Sequence, residues 1–206
     1  MRFKTLALVA LGMPAVLSAQ SGDTLSLAGR SSLNFGIGLT GHRVASAGFS
    51  GVDTHFTGEL GSLGFSHWVR PEVAITVSVA SLGGESTVSG VNATANAITP
   101  VLFGVSYSPR ALAVSSTLRP YVAVAAGPYF HSVASASGFG NASGSTESVA
   151  GMRSAIGANW FVASHFFLAL EGDYNAVGQF SQKDEITKNP SGFGMSFGFG
   201  FNWGGR

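Results

Sequence analysis

Four ionisable side chains, Glu59, Arg153, Glu171 and Asp173, lie well inside stretches that otherwise alternate large apolar residues with small or polar ones. A charge among apolar neighbours is costly unless it is paired, so these four read first as a charge network. Such a network either satisfies itself or plugs and gates a passage. Other reactive groupings are sparse. A hydrolase holds a nucleophile against a base and an orienting acid. His131 and Ser132 supply a base and a hydroxyl, but adjacent residues of a strand point to opposite faces. His42, His55, His67 and His165 are scattered without the spacing of metal ligands. Gly138-Phe139-Gly140-Asn141-Ala142-Ser143-Gly144 misses the dinucleotide-binding spacing and reads as a loop. No catalytic residue, cofactor or metal is therefore expected.

The elements that must carry these charges follow from composition. The 206 residues are 45% hydrophobic and only 10% charged, with 29 Gly and 16 Phe, whereas a soluble domain carries about 25% charged residues. That is too little charge to dress a surface facing water. Residues 1–20 have Arg2 and Lys4 ahead of an apolar run, Leu6 to Leu17, then Ser18 and Ala19, the pattern of a secretory signal peptide. Losing Arg2 and Lys4 leaves nine bases against ten acids, so the mature chain, residues 21–206, is not basic and no nucleic-acid partner is expected. There is no Cys, which excludes disulfides and thiolate metal sites. After the signal no apolar run reaches the roughly 20 residues of a membrane helix. The remaining way to cross a bilayer is a closed β-barrel.

Period-two alternation, the barrel signature, recurs along the chain. It is plainest at the end, where Phe193, Met195, Phe197, Phe199, Phe201 and Trp203 alternate with Gly194, Ser196, Gly198, Gly200 and Asn202. Similar segments run over 31–40, 72–81, 97–107, 119–133, 148–161 and 165–175. Over 55–67 the parity changes, and a bulge near Gly61-Ser62 would reconcile its halves. Eight strands result. Short links, 68–71, 108–118 and 162–164, alternate with long stretches rich in Gly, Ser and Asn, about 42–54, 82–94, 134–147 and 179–190. Short periplasmic turns and long outer loops are what an outer-membrane barrel shows. The large apolar parity should face lipid, and Arg153, Glu171 and Asp173 fall on the opposite, lumenal parity. Phe49, Trp68, Tyr107, Tyr129, Trp160, Tyr174 and Trp203, near strand ends, are expected as interfacial girdles. The hairpin between the sixth and seventh strands, centred near Ala163, places Arg153 opposite Asp173.

The signal peptide, Leu118-Arg119-Pro120-Tyr121-Val122-Ala123-Val124-Ala125-Ala126-Gly127-Pro128-Tyr129-Phe130, the Trp160–His165 hairpin and the aromatic last strand resemble the small outer-membrane β-barrel superfamily, the eight-stranded group that includes the OmpA membrane domain and OmpX. The resemblance implies an all-β, eight-stranded, up-and-down antiparallel transmembrane barrel in the outer membrane of a diderm bacterium. It also implies outer-membrane lipids and the periplasmic chaperone and barrel-assembly machinery as partners, and a monomer. Some barrels of this size are lipid A deacylases or acyltransferases, and the deacylase pattern sets His and Ser two apart on one face, unlike His131 and Ser132. The expected function is non-enzymatic: envelope integrity or surface contact through outer loops. A narrow passive pore is the alternative, and a lipid A-modifying enzyme lies further behind.

Overall fold

The structure, a computed structural model, describes residues 26–40, 52–89, 92–113, 115, 117–137, 141–181 and 191–205, without the side chains of 40, 52–60, 83–89, 92–93 and 141. The segment assigned as signal peptide lies outside these residues. Eight strands follow one another: β1 Arg30–Thr40, β2 Val52–Trp68, β3 Val73–Ser89, β4 Asn92–Tyr107, β5 Leu118–Ser137, β6 Asn141–Ala163, β7 Phe166–Val177 and β8 Gly192–Gly204. Each pairs antiparallel with the next, and β8 pairs back onto β1 from Arg30↔Gly204 to Thr40↔Gly194, closing the barrel. Closure satisfies every strand edge, which is what a sheet needs in hydrocarbon. No helix of the described residues is long and apolar enough to cross a membrane.

The alternation sorts the side chains as expected. Ile37, Leu39, Ile75, Phe103, Val124, Met152, Ile156, Leu170 and Phe197 point outward and lie exposed. Exposed aliphatic and aromatic groups around a whole barrel are unfavourable in water and favourable in lipid. Outer rings also cover the closing seam, where Phe35 stacks on Phe199 at 5.5 Å and Phe65 approaches Trp203 at 6.2 Å between ring centres, and beside it Phe166 of β7 meets Phe201 at 5.4 Å. Tyr107, Trp160, Tyr174 and Trp203 are outward as expected for girdles, but Trp68 and Tyr129 are not. Both are buried inside, because their parity is that of Ser66 and Gly127 rather than of Phe65 and Phe130. Phe49 lies outside the described residues.

Two expectations about extent and register are corrected. The stretches 82–94 and 134–147 are mainly strand, not loop: β3 and β4 stay paired to Ser89↔Asn92, and β5 and β6 to Ser137↔Asn141. Ser, Gly and Asn have low strand propensity, but each residue added to an existing ladder gains its hydrogen bonds, and context overrides propensity. A membrane crossing takes about 9–11 residues, so the 23 residues of β6 carry sheet well beyond the lipid belt. The irregularity expected near Gly61-Ser62 lies just before it, between Phe56 and Glu59 and between Glu59 and Gly61. The β6–β7 turn is Ser164-His165, with a further irregularity between Phe161 and Ala163. Arg153 therefore stands opposite Asn175, not Asp173.

Candidate functional site in the barrel lumen

The inner face has three storeys. At the end carrying the short turns, Leu27, Trp68, Ala74, Phe161 and Phe167 form an apolar cluster, with Phe161 and Phe167 rings 5.5 Å apart. At the end of the long hairpins, Ala80, Leu82, Ile98, Leu102, Tyr129 and Phe180 form a second. Between them lies a cavity of about 130 Å³ whose lining includes the polar residues Ser32, Asn34, Ser66, Ser78, Ser106 and Asn202 together with Tyr121, Arg153 and Glu171.

Three of the four candidate charges, Arg153, Glu171 and Asp173, meet in this middle storey. Arg153 Nη2 donates to Glu171 Oε1 at 2.7 Å and lies 3.3 Å from Asp173 Oδ1. Three further side chains join them. The Tyr121 hydroxyl donates to Glu171 Oε2 at 2.7 Å, Asn175 Nδ2 to Asp173 Oδ2 at 2.6 Å, and the Tyr129 hydroxyl to Asn175 Oδ1 at 2.7 Å. The result is one unbroken polar chain on β5, β6 and β7. It leaves each carboxylate holding at least two partners, as buried charge demands. The side chain of Glu59 lies outside the described residues.

The bare residues of the inner face make room for this chain. A Cβ on Gly157 would sit 2.7 Å from the Tyr121 hydroxyl, and one on Gly151 would meet the Tyr129 ring. One on Gly200 would overlap the ring of Phe167. Small residues on one strand thus receive large ones from its neighbour, the alternation by which a narrow barrel fills its interior.

Sequence reasoning missed several lumenal residues. Arg119, assigned to a strand end, is 1% exposed on the inner face at the base. Leu27 and Phe180 lie outside the strands, where no periodicity marks them. Tyr121 and Tyr129, by contrast, fall with Ala123 and Gly127 on the inward parity of the fifth segment, where the structure places them. His131 is inward and buried, with its ring 5.5 Å from that of Phe180, whereas Ser132 points out and lies 3.3 Å from the Thr146 hydroxyl. The two do not face one another. His67 and His165 lie at the short-turn end against Ser31 Oγ and the Asn202 carbonyl, both at 3.0 Å. His42 and the side chain of His55 lie outside the described residues.

No protein-family profile matches the sequence, and no characterised protein is similar to it in sequence. Solved structures with the same architecture do match. One is the attachment invasion locus protein Ail of Yersinia pestis in complex with the heparin analogue sucrose octasulfate (TM-score 0.53, 13% identity, 85% of this chain and 99% of that one). Others are the N-terminal β-barrel domain of Pseudomonas aeruginosa OprF (TM-score 0.47, 13% identity, 85% and 98%) and P. aeruginosa OprG (TM-score 0.48, 9% identity, 89% and 100%). The chain is an eight-stranded transmembrane β-barrel of the bacterial outer-membrane kind.

Proposed function

We propose that this barrel is a non-enzymatic outer-membrane protein that acts through its outer hairpins, in envelope integrity or surface contact, and that the barrel-assembly machinery inserts it as a monomer. The observation that carries this reading is the contrast between wall and lumen. The β3–β4 and β5–β6 ladders continue as sheet beyond the lipid belt, while the inside is closed by side chains at both ends. Surface is thus extended outward and passage is not provided. The test is to replace residues 86–95 and 134–144, which leaves the partners Glu85↔Asn96 and Val133↔Ser145 flanking the cuts, by two-residue Asn-Gly turns, which suit tight hairpins. The trimmed barrel should still insert and show a heat-modifiable gel shift, while cells carrying it lose adherence or detergent resistance relative to the full chain. Cells that keep both with the trimmed barrel contradict the proposal.

A narrow passive pore is the second reading, favoured by the polar cavity at mid-height. Planar-bilayer recording separates the two: a large, steady conductance of the unaltered chain would put the pore first.

A further inference from the structure

At each end of the lumen, among the described residues, one deeply buried apolar side chain comes from outside the strands. Leu27, fully buried, precedes β1. A tight turn brings it there: the Arg30 N–H donates to the Leu27 carbonyl at 2.9 Å and the Gly29 N–H to the Trp68 carbonyl at 2.8 Å. Gly29 has φ 72°, the left-handed conformation that the third residue of such a turn requires. Phe180, 3% exposed, follows β7. Its segment is held by the Gly178 N–H on the Ala150 carbonyl at 3.0 Å and by the Ser181 N–H on Glu147 Oε1 at 2.7 Å.

Between the two lies the polar cavity of about 130 Å³. A water takes up about 30 Å³ in the liquid, so the space suits a few waters. Asn202 supports this. It lines the cavity, is 4% exposed, and its Nδ2 has no acceptor among the described residues. A buried amide N–H of this kind finds its partner in water.

We propose that Leu27 and Phe180 are two stoppers in series on a latent path for water and small ions, with the middle of the barrel wet and open between them. Leu27 and Phe180 lie outside the strands, so withdrawing either one leaves the β1–β8 and β6–β7 pairings in place. Moving Trp68 or Tyr129 aside instead would disturb a packed wall. The device holds whether or not the outer hairpins are the working surface.

The full chain lacks Cys, so Ser78→Cys, in the cavity wall, provides a single reporter thiol. In nanodiscs its reaction with a small charged methanethiosulfonate should be slow while both stoppers are present. Leu27→Gly or Phe180→Gly should each raise the rate at least tenfold, and the double variant should conduct steadily in planar bilayers. A heat-modifiable gel shift reports folding. Where a glycine variant does not fold, Leu27→Ala and Phe180→Ala replace it under the same criteria. Equally fast labelling with both stoppers intact would overturn the proposal, because the cavity would not be sealed. So would a folded double variant that neither labels faster nor conducts, because the wall itself would then close the path.

Discussion

Arg153 binds Glu171 at 2.7 Å although its ladder partner is Asn175 and Glu171 stands opposite Gly157. The strands of a narrow barrel tilt by about 35–45°, so residues offset along the ladder come to the same level, and the long guanidinium stem spans the rest. Asp173, between Glu171 and Asn175 on the same face of β7, is the weaker contact at 3.3 Å.

Removing that base should be costly. Breaking a buried pair costs about 3–5 kcal/mol, and water in the adjoining cavity lowers this, so Arg153→Met should lose about 2–3 kcal/mol in urea unfolding in micelles. Adding Glu171→Gln should restore more stability than adding Asp173→Asn, in line with the two distances. Equal stability of Arg153→Met and the unaltered chain would mean that the guanidinium is solvated.

Gly157→Leu should push the Tyr121 ring out of its place and break its bond to Glu171. Overpacking of this kind costs about 1–3 kcal/mol. Gly61→Ala is the control, since a Cβ there meets nothing within 4 Å. The readout is the urea midpoint of each variant. A pair of equal midpoints would show that the inner face has slack.

Phe197 lies near the middle of the lipid belt, opposite Ile37 and Leu170. Phe197→Lys should cost about 2–4 kcal/mol, the depth-dependent penalty for a base facing lipid. Lys at the belt's edge, in Phe193→Lys, should cost about 0–1 kcal/mol. Folding into bilayers of defined composition, followed by denaturant titration, measures the difference, and a reversed order would mean that the belt is misplaced.

The three tryptophans offer an optical test of which rings face lipid. Trp160 and Trp203 face outward, while Trp68 is buried in the lumen. In variants that keep one Trp and replace the other two by Phe, brominated acyl chains should quench Trp160 and Trp203 strongly and leave Trp68 bright. Strong quenching of Trp68 would return it to the girdle and open the base of the barrel.

Much of this architecture is local, and local features can be read along the chain. A side-chain period of two, a low charge count and the confinement of Arg153, Glu171 and Asp173 to one parity are properties of neighbouring residues. They were enough for a closed eight-stranded barrel, for its lipid face, and for which charges turn inward. The structure brings those three charges together in a register two residues from the expected one, because an offset of two residues preserves parity.

The remainder depended on residues far apart in sequence. The register of β6 on β7 is set by the Ser164-His165 turn and the irregularity beside it, and a hydrophobic pattern cannot reveal a shift that keeps every side chain on its own face. How far β3 to β6 extend depends on a partner strand being present to accept each N–H, which no propensity of Ser or Gly expresses. Gly157 matters because Tyr121 leans across it, and Leu27 and Phe180 matter because the lumen is apolar where they enter it. Each of these is a meeting between distant segments, and only closing the barrel brings them together.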